Sequence, residues 1–395
     1  MAWSGRTGAA GVAAPAATEA GAAGAAPAMG AAPLIGAAGA AGAAPRALPA
    51  AHIPSLDGLR AFSIAVVFLS HAGVSELIPG GFGVTVFFFL SGFLITTLLT
   101  REQGRHGSVS LRAFYLRRAL RLAPPILVTI AAATLLALAG LVGGDLAPGA
   151  YLSQIFFYSN YYGLQDARSS VEGLEILWSL SVEEHFYFLW PLLFIAIARG
   201  MIGLRGVGLL LALILAWRAW RVLVLGADEW VTYVSTDTRL DSLLYGCLLA
   251  LLMWRGQASR LFPDAAWPRF LWLGAAAVVL VATFVIRDPD FRAVLRYSLQ
   301  GLALTPVFYY AVVRPDIALF RPLNWPLVRR IGVWSFTIYL CHFVILNLLT
   351  RNGVGEIGDP LVVLLAAVLS CGFAALVARY AERPLQPLRA RLTGH

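Results

Sequence analysis

Four groups of polar side chains stand inside otherwise apolar stretches of this sequence, each at a spacing that chemistry could use. Arg60 and His71 are eleven residues apart. On a helix, at 100° per residue, they return to within about 20° of one face, with His71 about 16 Å further along the axis. Glu183 and Tyr187 lie at i, i+4 and share a face, with Glu184 beside them. Ser335, Tyr339 and His342 follow at i, i+4, i+7, a single polar stripe. Arg117, Arg118 and Arg121 put three guanidinium groups within five residues. A carboxylate near an imidazole orients the ring and raises its basicity, as general-base catalysis requires. Arginine forks match phosphate oxygens in pairs, so the fourth cluster could hold a polyphosphate or a nucleotide-bearing donor.

Each group also has a plainer reading. Arg60 can snorkel to lipid phosphate and His71 can be a hydrogen-bonded core histidine. Glu183 and Glu184 can answer a helix N-terminal dipole. The serine–tyrosine–histidine stripe can serve helix packing, and the three arginines can anchor to anionic lipid. Arg218 and Arg221, and Arg239 with Asp241, add charge to the same layer, and the last two can neutralise each other.

The elements that must carry these groups are set by composition. Of 395 residues, 59% are hydrophobic and 13% charged, and the mean hydropathy is +0.75, far beyond a water-soluble globular chain. This is an integral membrane protein. All 30 basic residues are arginine, which excludes Schiff-base lysine and P-loop chemistry. Cys247, Cys341 and Cys371 sit in apolar runs without zinc or CxxC spacing, so neither a metal site nor a disulfide framework is expected.

Apolar stretches long enough to cross a hydrocarbon core of about 30 Å recur ten times. They cover approximately 60–76, 80–99, 122–142, 179–198, 205–225, 238–254, 270–287, 295–313, 332–350 and 360–381. The expected fold is therefore all-α, a polytopic membrane bundle of about ten transmembrane helices over residues 52–386. Residues 1–51, almost wholly Ala, Gly and Pro, read as a disordered tail, and 387–395 as a short C-terminal tail. With the N-terminus inside, eighteen loop and tail arginines fall on the inner side and four (Arg168, Arg287, Arg292, Arg351) on the outer. The positive-inside rule then puts both termini in the cytoplasm. The net charge of +9 is largely topology, and no nucleic-acid partner is expected.

The run Ile53-Pro54-Ser55-Leu56-Asp57-Gly58-Leu59-Arg60-Ala61, with His71 after it, resembles the opening motif of the acyltransferase 3 family of membrane O-acyltransferases: an arginine, ten residues, then histidine. Gly80-Gly81-Phe82-Gly83-Val84 through Phe88-Phe89-Leu90-Ser91-Gly92 is similar to its second motif. The Arg117-Arg118-x-x-Arg121 segment, Trp178 to Tyr187, Arg239-Leu240-Asp241, the Ser335-Tyr339-His342 stripe and Glu382-Arg383-Pro384 recur in the family's order. The resemblance covers about 53–386. No extracytoplasmic hydrolase-like domain is expected after the tenth span.

The resemblance implies a function: transfer of an acyl group, acetyl being the expected one, from cytoplasmic acyl-CoA to a sugar hydroxyl of a cell-surface polysaccharide, glycolipid or lipid-linked glycan. By the same resemblance His71 is the catalytic histidine and Glu183 its carboxylate partner. Arg60, Arg117, Arg118 and Arg121 are candidates for the CoA phosphates. Asp57, Ser91, Glu184, Tyr187, Arg239, Asp241, Ser335, Tyr339 and His342 form a supporting polar layer. Acyl-CoA is a co-substrate, and no permanently bound cofactor is implied. The expected location is the bacterial inner membrane. Direct transfer and a transient acyl-histidine stay open. Three other functions compete: acylation of a small glycosylated natural product from the cytoplasmic side; a non-catalytic lipid or peptide receptor, which would need neither an inner donor site nor the histidine; and glycan transport, which would favour internal repeats that are not evident here.

Overall fold

A computed structural model describes residues 53–74, 79–165 and 170–393. The proposed tail over 1–51 lies outside them. Ten long helices occur among the described residues, one at each expected span. They are α1 (Pro54–Leu69, continued by a π-helical turn to Val74), α2 (Gly80–His106), α3 (Leu111–Leu138), α4 (Trp178–Ala198), α5 (Leu204–Leu223), α6 (Thr236–Trp254), α7 (Ala266–Val285), α8 (Arg296–Val313), α9 (Pro326–Arg351) and α10 (Pro360–Val377). The protein is an all-α polytopic bundle, the architecture in which a chain can satisfy its backbone polar groups inside lipid.

Eight of the ten helical segments are long and apolar enough by themselves to cross a membrane. The other two are α6, which carries Asp237, Arg239 and Asp241, and the 18-residue α8, which carries Arg296 and Gln300. Most of these polar groups face the protein interior. Arg239, Asp241 and Gln300 are buried, so neighbouring helices replace the water those groups would otherwise need.

Several helices are longer than their apolar cores. α1 begins at Pro54, because proline at the first helical position gives up a backbone donor that would be unpaired anyway. α3 begins at Leu111, capped by Ser110 Oγ, which accepts from the Ala113 amide. Arg117, Arg118 and Arg121 therefore stand on a helix, not on the loop that hydropathy alone suggests. Pro124 and Pro125 lie inside α3 without ending it. Residues expected as a C-terminal tail form the helix Gln386–Thr393.

Two close approaches fix the scaffold. A Cβ on Gly92 of α2 would stand 1.9 Å from the Leu243 carbonyl oxygen, and one on Gly246 of α6 would stand 2.0 Å from that of Phe89. The reciprocal glycines let the two backbones touch, the small-residue packing that membrane helices favour. At the end of α1, Gly73 takes φ 95°, a left-handed conformation that glycine adopts without strain. That turn closes α1 two residues after His71. The most buried large side chains, among them Trp190, Phe88, Phe93 and Phe308, belong to α4, α2 and α8. By contrast, α5 and α7 expose Leu209, Leu213, Val278 and Val281, the outward apolar faces expected against lipid. We call the end of the bundle where α1 begins the proximal face, and the end where it closes the distal face.

Candidate active site

His71 and His342 form a direct pair. His71 Nδ1 is 2.9 Å from His342 Nε2, and the His71 ring stacks on Phe343 with centroids 4.6 Å apart. His342 has no exposed surface, and its Nδ1 lies 2.8 Å from the Tyr339 carbonyl oxygen and 3.2 Å from that of Ile338. A carbonyl can only accept, so Nδ1 of His342 carries the proton. In the neutral ring its Nε2 is then bare and accepts from His71 Nδ1–H. The chain of bonds leaves the lone pair of His71 on Nε2. One helical carbonyl thereby sets the tautomer of a histidine on another helix, and what it produces is a base.

The carboxylate expected beside His71 is elsewhere. Glu183 Oε1 accepts from Ser91 Oγ at 2.9 Å, and Oε2 faces Arg118 at 4.0 Å. The partner of His71 is His342, a residue the sequence placed only in the supporting layer. Helix geometry explains the difference: Glu183 turns toward α2 and α3 and lines the narrow cavity together with Arg60 and Ser91, whereas His71 stands near the start of α2 in the distal cavity.

Arg118 holds Glu184, with Nε and Nη2 at 2.8 and 2.6 Å from Oε1, and its guanidinium carbon is 3.0 Å from the centroid of the Tyr187 ring. Arg117 Nη2 donates to Glu102 Oε2 at 2.7 Å. Arg60 is 3.7 Å from Asp57. Tyr339 Oη donates to the Ile176 carbonyl at 2.9 Å and meets Ser179 Oγ at 2.7 Å, tying α9 to the start of α4. Ser335 is buried in the wall between those helices.

Arg239 and Asp241 do not pair with each other. Asp241 forms a fully buried ion pair with Arg218 at 2.9 Å and accepts from Ser298 Oγ at 2.6 Å. Adjacent helical positions differ by 100°, so residues two apart point to different neighbours. Arg239 turns instead onto the Tyr297 ring, 3.8 Å from its centroid.

Three cavities line up with these groups. A proximal one of about 430 Å3 is lined by Arg101, Arg105, Arg117, Arg118 and Arg121, with Glu102 and His106. Sequence reasoning counted Arg101 and Arg105 only as topology, although their i, i+4 spacing was the available signal. The second, narrow at about 140 Å3, shares Arg118, Arg121, Ile95 and Leu98 with the first. It runs between Phe87, Leu94, Glu183, Tyr187, Ser335 and Tyr339, with Arg60 on its wall. A distal one of about 580 Å3 holds His71, with Trp230, Tyr233, Tyr297 and Glu229. Val84 lines both the narrow and the distal cavity. Of the distal aromatics, Trp230 and Tyr233 share the short helix Glu229–Val234 and Tyr297 starts α8, and they had no sequence signal. Among the described residues, no group of three or more His, Cys, Asp or Glu could hold a metal ion.

An all-α bundle of about ten helices is the architecture the sequence motifs implied, and the comparison agrees on the family. The chain belongs to the acyltransferase 3 family, whose model, described as an acyltransferase domain, matches residues 53–379. It is similar to the peptidoglycan O-acetyltransferase OatA of Listeria monocytogenes, 30% identical over 360 residues, 85% of this chain and 56% of that protein. YrhL of Bacillus subtilis, provisionally named for the same activity, is 30% identical over 355 residues, 85% of this chain and 55% of YrhL. SACOL0978 of Staphylococcus aureus, provisionally named an O-acetyltransferase, is 28% identical over 351 residues, 85% of this chain and 57% of its own length. The chain thus spans little more than half the length of the curated relatives it matches. No solved structure matches it.

Proposed function

We propose that this multi-pass membrane protein moves an acetyl group from cytoplasmic acetyl-CoA to a sugar hydroxyl of a cell-wall glycan. The observation that carries the reading is the bare Nε2 of His71, in a cavity that shares Val84 as a wall with a narrow channel that ends among arginines. The relatives' names favour peptidoglycan as the polymer.

The donor's phosphates dock at the proximal arginines and its pantetheine arm extends along the narrow apolar channel. The rise from Arg60 to His71 is about 16 Å, within reach of that arm. The acceptor enters the distal cavity. His71 Nε2 takes the proton of the acceptor hydroxyl as its oxygen attacks the thioester carbonyl. The carbon–sulfur bond breaks, and the proton passes from His71 to the CoA thiolate, which restores the neutral ring. His342 holds the tautomer throughout. In this reading Arg60 and Arg118 guide the donor, Ser91, Glu183 and Tyr187 shape its channel, and the proximal face and both termini are cytoplasmic, as the arginine distribution favours.

The test uses the full chain in lipid nanodiscs with labelled acetyl-CoA and a peptidoglycan acceptor, alongside mass spectrometry of wall glycans with and without the gene. His71→Ala is expected to insert and fold but transfer no label. Normal acetylation by that variant ends the proposal.

A further inference from the structure

The distal cavity carries more positive charge than its own contacts use. Among the described residues its lining holds Arg287, Arg292 and Arg296 against one carboxylate, Glu229. A single oxygen of that carboxylate serves two guanidinium groups: Oε1 is 3.0 Å from Arg292 Nη2 and 2.6 Å from Arg296 Nη2. Arg296 is further occupied by Tyr297 Oη at 2.7 Å. Arg287 is exposed and has no counter-ion among the described residues.

An independent observation lies behind the wall. Arg239 has no exposed surface, and its guanidinium carbon stands 3.8 Å from the Tyr297 centroid and 5.3 Å from that of Tyr233, two rings that line the cavity. Nη2 donates to Thr85 Oγ1 at 3.2 Å, while Nε and Nη1 have no acceptor. A buried cation of this kind is costly unless something compensates its charge. Two net positive charges at the surface, and a third behind it that only aromatic faces offset, set a positive potential over the chamber that His71 enters. A neutral saccharide would be served by aromatic faces and hydroxyl partners alone. Guanidinium groups can donate to sugar hydroxyls, but their planar charged forks match carboxylate and phosphate far better.

We propose that the distal cavity is built for an anionic glycan, a saccharide bearing a carboxylate or phosphate within about one sugar unit of the hydroxyl presented to His71. Arg287 and Arg292 hold the oxyanion, and Trp230 packs on the sugar ring. The proposal rests on the acyl-transfer reading of the same site and deepens it by naming the acceptor class.

The experiment measures saccharide binding to the full chain in nanodiscs by calorimetry, using two charged and neutral pairs. One pair is an N-acetylglucosaminyl-N-acetylmuramic acid disaccharide and its carboxamide; the other is N-acetylglucosamine 1-phosphate and N-acetylglucosamine. At least one charged member is expected to bind roughly ten- to a hundredfold tighter than its neutral partner, the range of one or two charge-assisted hydrogen bonds. The pair that shows the preference identifies the oxyanion as carboxylate or phosphate. Arg287→Gln combined with Arg292→Gln is expected to bring the ratio close to one without changing acetyl-CoA affinity. Arg287→Gln alone, at an exposed position, is expected to lower the ratio if the double variant does not fold. Equal binding within both pairs, no binding by any probe, or a ratio that survives the substitutions overturns the proposal. Charge-selective binding without acetyl transfer would sink only the acyl-transfer reading, and transfer indifferent to charge would sink only this one.

Discussion

Replacing His342 with phenylalanine isolates the role of the histidine pair. The site has no exposed surface, and a phenyl ring is a flat ring only slightly larger than an imidazole, so packing is largely kept. What is lost is the acceptor 2.9 Å from His71 Nδ1. In the productive tautomer that N–H would then be unpaired in a part-buried site, which costs about 1–3 kcal/mol. At about 1.4 kcal/mol per tenfold, kcat should fall roughly 5- to 150-fold. The KM for acetyl-CoA should hold, because His342 lines neither the basic cavity nor the narrow channel. His342→Gln carries an amide oxygen at about the reach of Nε2, and it should recover part of the loss. The assay is label transfer from acetyl-CoA at saturating acceptor. An unchanged kcat in the phenylalanine variant, or a glutamine variant no better than it, refutes a positioning role for His342.

Arg105→Ala removes an exposed proximal guanidinium, and should raise the KM for acetyl-CoA several-fold while leaving the melting temperature in detergent unchanged. Gly246→Val should prevent stable folding, because a side chain meets the Phe89 carbonyl at 2.0 Å; overpacking of this kind costs about 3 kcal/mol or more, and size-exclusion chromatography would show the loss. Arg218→Met leaves Asp241 as a buried, unpaired charge and should cost about 3–5 kcal/mol. Arg218→Met with Asp241→Asn should melt higher than Arg218→Met alone, and a double variant no more stable than the single would refute the ion-pair account.

Much of the fold was legible because a membrane allows few solutions. Apolar length sets where helices cross, so ten segments could be located from hydropathy even though the ends of α1, α2, α3 and α9 run beyond the apolar cores. Those ends were illegible because charged, amphipathic turns such as Leu111–Arg121 look like loop to a hydropathy reading, while Ser110 and the helix itself satisfy their backbone. The Arg60 to His71 spacing gave one face of one helix, and the proximal arginine cluster followed from composition at a helix end.

Partnership between helices was decided only by packing. The motif resemblance made Glu183 a candidate for His71, but the position and rotation of each helix are set by which small residues let neighbours approach, as at Gly92 and Gly246. That rotation gave Glu183 to Ser91, Asp241 to Arg218 and His342 to His71. The sequence alone determined that polar groups sit within apolar helices and roughly how deep. Only the tertiary structure decided which of them touch, because hydrogen bonds and ion pairs act over about 3 Å, and residues as distant in sequence as 71 and 342 come that close only through the rotation and tilt of whole helices.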